Sequence, residues 1–371
     1  MNSLARSGLI TMDEASCIES TEAGRLMSLF YMDVETMKNI MKIEGSETLE
    51  RLLWIVCESH ELADMHLRVD ERRCLNLLNR NNKAPTIRFP MKGKISTRQM
   101  KLNCIIQATL GCLPIPEPAL NQEALKVMRT ASRVCKCLVK YVTRPELPPQ
   151  PQTFSAVLNS IILSKCIEAH LWENSPYVSK QLKGIGPTFS TLLASAGVTS
   201  FMLLEESHPR DLERIMNKGP PAGNIIRKQV SLLPKYQLTV TPIDARSVTI
   251  HLMLLNHNHL SENMDQLTAG DSHKSYLIVG DSENYLLLLT QFTDKDFISV
   301  YDGTMKYEVT RKLQNEHKIL IHCVSSVIAN LKRLHHLLAS LIIQLTPPAL
   351  KLLSTPYPNP ENHLKLPILM E

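Results

Sequence analysis

The stretch "LKGIGPTFSTLLASAGVTSF", residues 182–201, carries the most distinctive turn-and-helix pattern of the sequence. L-K-G-I-G-P precedes a helix-forming segment and A-G-V-T-S-F follows it, an order typical of a helix-hairpin-helix. Gly184 and Gly186 permit a tight turn and expose backbone N–H groups at the start of the next helix, where the helix dipole favours a phosphate oxygen. The alternative is a glycine-rich turn that only packs two helices together.

A second, degenerate hairpin is predicted nearby in "KGPPAGNIIRK", residues 218–228. Gly219, two prolines and Gly223 supply its turn, and a helix follows. Its candidate phosphate contacts are Lys218, Arg227 and Lys228. We assign both hairpins to one region, residues 176–234.

Upstream, "KVMRTASRVCKCLVK" (126–140) places five basic residues three and four positions apart, on one face of a helix predicted over residues 121–143. We call this face the cationic stripe: Lys126, Arg129, Arg133, Lys136 and Lys140. The opposite face is apolar. Like charges four residues apart repel by roughly a few tenths of a kcal/mol, so we favour a bound polyanion. Acids from a neighbouring helix, calmodulin-type recognition and a solvated face are the alternatives.

Positive charge is also concentrated between Arg68 and Lys101, where ten Lys or Arg stand against two acids, although the whole chain carries a net charge of only +5. We expect this basic segment to extend the nucleic-acid surface. Its candidate contacts are Arg72, Arg88, Lys92, Lys94 and Arg98.

Several function classes are disfavoured. The nine cysteines include no C-x-x-C pair, which fits reduced thiols in the nucleus or cytosol. No apolar run suits a signal peptide or a membrane span, so we predict no membrane partner. The three histidines of "HLMLLNHNH" (251–259) match no familiar ligand spacing, and we interpret them as surface histidines and predict no metal site.

The patterns along the chain predict an α+β protein. Residues 29–175 are predicted to be a helical bundle, with helices over 48–66, 97–111, 121–143 and 153–172. Residues 235–325 contain about seven short alternating or apolar runs separated by turns, which predicts an antiparallel β-sandwich. Residues 326–371 begin with a helix-like run and end in proline-rich sequence, which predicts an atypical, partly disordered tail.

No G-x-x-x-x-G-K-[ST] phosphate loop and no D-E-x-H or D-E-x-D box occurs in the sequence. A motor that hydrolyses ATP needs both, to hold the nucleotide and its magnesium ion. The G-x-S-x-G elbow and the zinc-protease helix are also missing. We therefore predict that this chain alone has no catalytic residues, binds no cofactor and is not an ATPase.

The segment "STEAGRLMSLFYMDVETM" (20–37) resembles the junction that follows the winged helix in Ski-like superfamily-two helicases. In that family, T-x-x-G-R-x-x-S-x-[FY]-Y leads into a Sec-type helical bundle, then a helix-hairpin-helix and an immunoglobulin-like sandwich, as the C-terminal cassette. The resemblance therefore implies a winged-helix remnant over residues 1–28 and an immunoglobulin-like fold for residues 235–325.

The amino-acid sequences of residues 87–115, 171–188 and 233–240 are most similar to the meiotic, crossover-promoting branch of this family. The resemblance implies an ATP-dependent 3′–5′ DNA helicase whose ATP and Mg²⁺ belong to two RecA-like motor domains that would precede residue 1. It also implies a ratchet helix that grips the translocating strand. The cationic stripe stands where the family would place that helix, which makes Arg129 and Arg133 phosphate or base-stacking contacts.

The sequence departs from the family in lacking the motor domains and in its tail, which is expected to leave a sheet edge open. We expect an accessory cassette that binds single-stranded or branched DNA without sequence specificity, in the nucleus, during homologous recombination and crossover formation. One alternative is a module that binds a recombination protein through the sandwich. Another is an RNA-directed cassette of the spliceosomal type, which 2′-OH contacts would distinguish.

Overall fold

The fold is described from a computed structural model, which covers residues 2–12, 17–81, 84–148, 152–243, 247–310, 318–329, 340–346 and 349–353. The helices are α1 (Asn2–Arg6), α2 (Glu22–Leu29), α3 (Val34–Ile40), α4 (Leu49–Cys57), α5 (Arg72–Asn79), α6 (Arg98–Leu110), α7 (Pro118–Val142), α8 (Phe154–Ala169), α9 (Pro187–Ser195), α10 (Phe201–Glu206), α11 (Pro209–Met216), α12 (Ala222–Ser231), α13 (His257–Ser261) and α14 (Asp294–Ile298). The strands are β1 (Ile10–Met12), β2 (Ile18–Ser20), β3 (Tyr236–Pro242), β4 (Ser247–Leu254), β5 (Lys274–Asp281), β6 (Leu286–Thr293), β7 (Thr304–Thr310), β8 (Lys318–Ser325), β9 (Ser340–Thr346) and β10 (Ala349–Leu353). The α+β class is confirmed.

The junction segment quoted above forms the start of α2. The Thr21 hydroxyl accepts a hydrogen bond from the Gly24 amide at 3.1 Å and donates one to the Gly8 carbonyl at 2.8 Å. A β-carbon on Gly24 would lie 2.0 Å from the Leu9 carbonyl oxygen. Threonine therefore caps the helix and glycine lets two backbones touch, which gives the T-x-x-G spacing a structural cause.

Helices α4, α6, α7 and α8 share one apolar core. The face of α7 opposite the cationic stripe is buried in it, which confirms the amphipathic helix predicted over residues 121–143. The helix predicted over residues 48–66 ends early, at Cys57. It ends there because the Thr36 hydroxyl accepts the His60 amide at 2.8 Å, a tertiary bond that replaces helix continuation.

Two antiparallel sheets make up the later part of the chain, in the orders β3-β4-β7 and β10-β9-β8-β5-β6. Along β5, Leu277 and Val279 lie in the core between the sheets, whereas Ile278 packs into the helical core. The five-stranded sheet is therefore covered by helices on one face and by the three-stranded sheet on the other. Burial on both faces explains why β5 and β8 read as continuous apolar runs rather than alternating ones.

One of the seven predicted strand-like runs is wrong. The run "FISVYDG" (297–303) contains the end of α14 and a turn. The helix forms because the Thr293 side chain and the Asp296 carboxylate make a reciprocal capping box at its start.

The prediction of a helical and then disordered tail is also wrong where the tail is described. Residues 340–346 form β9, which pairs with β8, and residues 349–353 form β10, which pairs with β9. The edge of β8 needs partners for its N–H and C=O groups, and the apolar run "SLIIQLT" supplies them. The expected open edge of β8 is therefore filled. Residues 330–339 and 354–371 lie outside the described residues.

The hairpin between β5 and β6 joins the sheets to the helices. The Asn284 side-chain oxygen accepts the Ser155 amide at 2.7 Å, and its carbonyl oxygen accepts the Phe154 amide at 3.0 Å. The Asn284 amide group also donates to the Gly45 carbonyl at 3.1 Å. The tip of this hairpin thus caps α8, the helix that packs beside the cationic stripe.

Candidate nucleic-acid interface

Two members of the cationic stripe are ion-paired within the chain. Lys126 Nζ lies 2.5 Å from an Asp64 carboxylate oxygen, and Lys136 Nζ lies 3.1 Å from Glu168 on α8. The ammonium of Lys126 holds the pKa of Asp64 below its usual value through a hydrogen bond. Neighbouring acids, one of the alternatives left open by the sequence, therefore neutralise part of the stripe.

The other three cations of the stripe, Arg129, Arg133 and Lys140, form no ion pair with any described residue. Arg129 and Lys140 are exposed, and Arg133 is half-buried. The Nε of Arg133 is buried and lacks a hydrogen-bond partner among the described residues. The exposed donors of these side chains are therefore free for an external anion, whereas the buried Nε of Arg133 is not accessible to one.

A pocket of about 280 Å³ opens beside the C-terminal half of the stripe. Lys136 and Lys140 line it together with two aromatic side chains, Phe30 from the end of α2 and Tyr276 from β5. The rest of the lining consists of apolar residues, two serines and the acidic side chain of Glu168, which pairs with Lys136. Cations and aromatic rings in one pocket are the two groups that single-stranded nucleic acid uses, for its phosphates and its bases.

The predicted hairpin turn is a tight turn in the structure. Gly184 adopts φ of +86° and Gly186 lies at the cap position of α9. A β-carbon on either glycine would have nothing within 4 Å, so the backbone here is open. Neither glycine amide donates a hydrogen bond to another described residue. These N–H groups therefore have no partner among the described residues, and their contact with a phosphate stays a prediction.

The candidates of the second hairpin make contacts inside the chain. Lys218 Nζ lies 4.2 Å from the centre of the Phe189 ring on α9. Arg227 Nε donates to the Glu205 carbonyl at 2.9 Å, and Lys228 Nζ donates to the Gln266 side chain at 2.7 Å. The contacts of Arg227 and Lys228 hold α12 against its neighbours, and that of Lys218 holds the preceding loop against α9. All three residues therefore have a packing role.

Lys180 was not among the candidate residues predicted from the sequence. It lies between the cationic stripe and the hairpin turn along the chain. Its Nζ is 3.6 Å from Cys112 Sγ, and its charge acts on His170, the left-handed cap of α8. Burial lowers the pKa of His170, and the Lys180 ammonium lowers it further. Cys112 and His170 are not adjacent to Lys180 in the sequence, so only the fold shows that the three interact.

In the folded chain, fewer cations of the basic segment lack an acidic partner than its sequence suggests. Arg88 pairs with Glu173 at 2.8 Å and stacks over Trp172 at 5.0 Å, so part of its charge is neutralised within the chain. Lys101 is fully buried between Glu71, at 2.6 Å, and Glu123, at 2.8 Å. Arg88 is nevertheless exposed, and its contact with DNA stays a prediction. Its acidic partner lies 85 positions away in the sequence.

The remaining candidates of the basic segment occupy different places. Arg72 and Lys94 line one cleft, together with Arg73 and Arg80. Lys92 is exposed and lies two positions before Lys94 in the sequence. Arg98 is half-buried, and one of its terminal nitrogens has no hydrogen-bond partner among the described residues.

A serine, a histidine and an aspartate form a buried row in the β-sheet region. His273 Nδ1 is 2.9 Å from Asp294, and its Nε2 is 2.8 Å from Ser325 Oγ. Ser325 is only 6% exposed, and its hydroxyl oxygen accepts the amides of Val327 and Ile328. Because a nucleophile needs access to substrate, we interpret this row as a structural tie between β5, α14 and β8.

Other site types have little support in the described part of the chain. It contains no group of three or more His, Cys, Asp or Glu residues arranged to hold a metal ion. Among the same residues, no helix is long and apolar enough to cross a membrane. His257 and His259, predicted to lie in a polar turn, begin the short helix α13.

The sequence comparisons identify the family of the chain. The Sec63 Brl domain family matches residues 20–336, and the chain belongs to this family. It is 42% identical over 335 residues to the probable ATP-dependent DNA helicase HFM1 of Homo sapiens, covering 89% of this chain and 23% of that protein. It is 31% identical over 328 residues to the ATP-dependent DNA helicase homolog MER3 of Arabidopsis thaliana, covering 86% of this chain and 28% of that protein.

A more distant relative is the U5 small nuclear ribonucleoprotein 200 kDa helicase of Drosophila melanogaster, 23% identical over 293 residues. That match covers 78% of this chain and 13% of the relative. The chain spans about a quarter of the length of the HFM1 relatives. The similarity to DNA helicases therefore extends through one part of those proteins.

Proposed function

We propose that this chain is a nucleic-acid-binding accessory cassette of a meiotic-type DNA helicase, which grips single-stranded or branched DNA without sequence specificity. One observation carries the proposal. The unpaired cations Arg129, Arg133 and Lys140 share one face of α7, and Lys140 lines a pocket that contains two aromatic rings. Hydrolysis of ATP, with its Mg²⁺, belongs to motor domains of a longer protein, and this chain alone does not perform it.

The binding mechanism follows from the side chains of the stripe. The guanidinium groups of Arg129 and Arg133 and the ammonium of Lys140 hold successive phosphates, and release of counterions supplies most of the binding free energy. A base enters the pocket and stacks against Phe30 or Tyr276. Phosphates and ring faces are common to all nucleotides, so binding is independent of sequence.

The finer architecture belongs to the same proposal. The β1–β2 hairpin before α2 is compatible with a winged-helix remnant over residues 1–28, followed by a helical bundle over 29–175 with α7 as its ratchet. Two further units complete the cassette, a helix-hairpin-helix over 176–234 and an immunoglobulin-like sandwich over 235–325. The glycine amides at the start of α9 add phosphate donors to the grip.

The cellular role is proposed from the relatives. Two of them are named as ATP-dependent DNA helicases, and their identity to this chain exceeds that of the U5 relative. We therefore favour DNA over RNA, in the nucleus, with a role in homologous recombination and crossover formation. In a complete homologue the cassette would couple ATP hydrolysis to unwinding of recombination intermediates.

A second candidate is a protein-interaction module in residues 235–325. The observation that favours it is Tyr301, whose side chain is fully exposed in the turn before β7. An exposed aromatic residue is a common anchor of protein interfaces. Binding of a recombination protein that survives high salt and needs Tyr301, but not the cationic stripe, would support this function.

Fluorescence anisotropy of a labelled single-stranded oligonucleotide tests the main proposal. We expect Arg129→Glu/Arg133→Glu to lower affinity at least about tenfold, since two attractive contacts become repulsive. Lys42→Glu/Lys306→Glu, the same charge change at two exposed sites elsewhere, should leave affinity nearly unchanged. Arg129→Glu/Lys140→Glu replaces only exposed residues and covers the case in which the Arg133 substitution unfolds the chain.

The contrary result is equal binding by the parent and both folded stripe variants, or no binding by the parent. Far-ultraviolet circular dichroism and thermal unfolding establish that each variant is folded. A parallel titration with RNA of the same sequence tests the RNA-directed alternative. Tighter binding to RNA would point to 2′-OH contacts and favour a spliceosomal type of cassette.

A further inference from the structure

A cleft of about 800 Å³ lies between α5 and the loop that precedes α6. Four cations line it: Arg72, Arg73, Arg80 and Lys94. All four are exposed, and none forms an ion pair with a described residue. The lining contains no acidic side chain. We call it the α5 cleft.

The two walls of the α5 cleft are fastened to each other. The Asn79 side chain accepts the Met91 amide at 2.7 Å and donates to the Met91 carbonyl at 3.0 Å. The Asn76 side chain accepts the Ile95 amide at 2.9 Å. Gly93, at φ of +75°, lets the loop turn back toward the helix. The two asparagine side chains are thus engaged in hydrogen bonds that hold the walls together, whereas the four cations have no ion-pair partner among the described residues.

The acid closest in sequence does not neutralise these cations. Glu71 precedes Arg72 but is fully buried, where it pairs with Lys101 at 2.6 Å and with Arg68 at 2.8 Å. Arg72 and Arg73 also stand in the first turn of α5, where the helix dipole disfavours positive charge. The fold therefore keeps an unfavourable concentration of cations that an external anion would relieve.

The lining also indicates which anion fits. A single-stranded site combines cations with aromatic rings, and the α5 cleft has no aromatic side chain. A peptide interface needs buried apolar anchors, whereas the apolar lining here is limited to Leu77 and Ile95. The helix α5 rises by about 10 Å from Arg72 to its last residue, and Arg80 follows directly, so the cations span enough length to meet several phosphates. Duplex backbone, recognised through charge alone, is the best match.

The α5 cleft is connected to the cationic stripe through a buried ion-pair network. Lys101 joins Glu71, at the start of α5, to Glu123, which lies one turn before Lys126 on α7. Arg68 contacts the same two carboxylates, at 2.8 and 3.1 Å. The two cationic surfaces therefore keep a fixed relation to each other, with the cleft near the N-terminal end of the stripe.

We infer that the α5 cleft binds the phosphate backbone of a duplex arm, while the cationic stripe holds the adjoining single strand. This inference rests on the proposed function for the single-strand part. It gives the chain a preference for branched or tailed DNA over single strands, because only a junction fills both surfaces. It also adds Arg73 and Arg80 to the candidate contacts of the basic segment.

The test measures anisotropy with three probes: a single strand, a blunt duplex and a duplex with a single-stranded tail. For Arg73→Glu/Lys94→Glu we expect at least about a tenfold loss for the tailed and blunt duplexes and less than about a twofold loss for the single strand. Arg129→Glu/Arg133→Glu should instead weaken the single strand most. Lys295→Glu/Lys306→Glu, on exposed sites of the β-sheet region, is the matched control.

Three results would overturn the inference: an unchanged affinity for tailed DNA, an equal loss for all three probes, or competition by polyglutamate as effective as that by duplex of equal charge. Arg73→Gln/Lys94→Gln serves if the glutamate variant unfolds, with the same pattern expected at smaller size. A parent that binds duplex through the α5 cleft but no single strand would refute the proposed grip of the stripe and leave the cleft standing.

Discussion

Glu168 on α8 accepts both the Lys136 ammonium, at 3.1 Å, and the Ser132 hydroxyl, at 2.8 Å, on the same carboxylate oxygen. One acid from a neighbouring helix therefore interrupts the cationic stripe. It separates Arg129 and Arg133 on one side from Lys140 on the other. The DNA-binding surface we propose is thus set by how α7 and α8 pack as well as by the sequence of α7.

Removal of this interruption should strengthen binding. Glu168→Gln keeps a side chain of similar shape but releases Lys136, so we expect single-stranded DNA to bind several-fold more tightly at low salt. Anisotropy at two salt concentrations measures the change. Glu308→Gln removes one exposed acid on β7 and is the matched control. Unchanged affinity for Glu168→Gln would mean that Lys136 does not reach the bound strand.

Two buried lysines should respond in opposite ways to the same substitution. Lys165 is only 1% exposed and has no ion pair with a described residue, and burial lowers its pKa. Lys165→Met should stabilise the fold by about 1–3 kcal/mol. Lys101→Met should destabilise it by about 3–5 kcal/mol, because the buried Glu71 would lose its closest cation and keep only Arg68 as a partner.

Urea unfolding at pH 7 measures both variants. Because the folded-state pKa of Lys165 is lowered, its penalty is present at neutral pH and fades as the pH rises toward the ordinary lysine value of about 10.4. The gain from Lys165→Met should shrink over the same range. A destabilised Lys165→Met variant would show that the ammonium makes a favourable contact in the core.

His170 should make the fold sensitive to mild acid. Its folded pKa is lowered, first by burial and then by Lys180, so below about pH 6.5 the unfolded chain takes up a proton that the folded chain resists. Stability should therefore fall as the pH drops from 7.5 to 5.5. His170→Asn suits the left-handed backbone at this position and should reduce that fall.

Thermal unfolding across this pH range compares the parent with His170→Asn. His66→Asn, at an exposed histidine, controls for loss of a histidine as such. Parallel pH curves for the parent and His170→Asn would contradict the account. An upward shift of the His170 titration in Lys180→Met, followed by nuclear magnetic resonance, tests the contribution of the ammonium directly.

Gly223 should be far less replaceable than its neighbour Gly219. A β-carbon on Gly223 would lie 2.0 Å from the Pro209 carbonyl oxygen, whereas one on Gly219 would have nothing within 4 Å. Gly223→Ala must force α11 and α12 apart, at a cost of about 1–3 kcal/mol or more. Gly219→Ala should change stability by less than about 0.5 kcal/mol. Equal effects in chemical unfolding would contradict this helix contact.

The sequence predicted the features that depend on regularly spaced residues within one segment. Periodicity revealed α7 and its buried face, and the glycine spacing revealed the turn before α9. It mispredicted "FISVYDG", where a capping box outweighs strand propensity. It also missed β9, because the run from residue 328 to 345 has the composition of a helix and only the edge of β8 favours a strand.

The candidate site was harder to predict, because ion pairs join residues that are distant in the sequence. Glu173 neutralises Arg88 and Glu123 neutralises Lys101, and no local pattern announces either pair. Conversely, some cations form a site that their sequence context does not indicate. Arg73 and Arg80 lie in the basic segment, but only the packing of the loop before α6 on α5 places them in one cleft. Net charge in a window therefore overstates what faces a ligand.

The most direct test of the central claim is the salt dependence of single-strand binding. Each phosphate contact contributes about −0.7 to the slope of log affinity against log salt concentration. If Arg129, Arg133 and Lys140 each hold a phosphate, the slope for Arg129→Gln/Arg133→Gln/Lys140→Gln should be shallower than that of the parent by about 2. An identical slope in a folded variant would mean that the stripe holds no phosphate and would contradict the account.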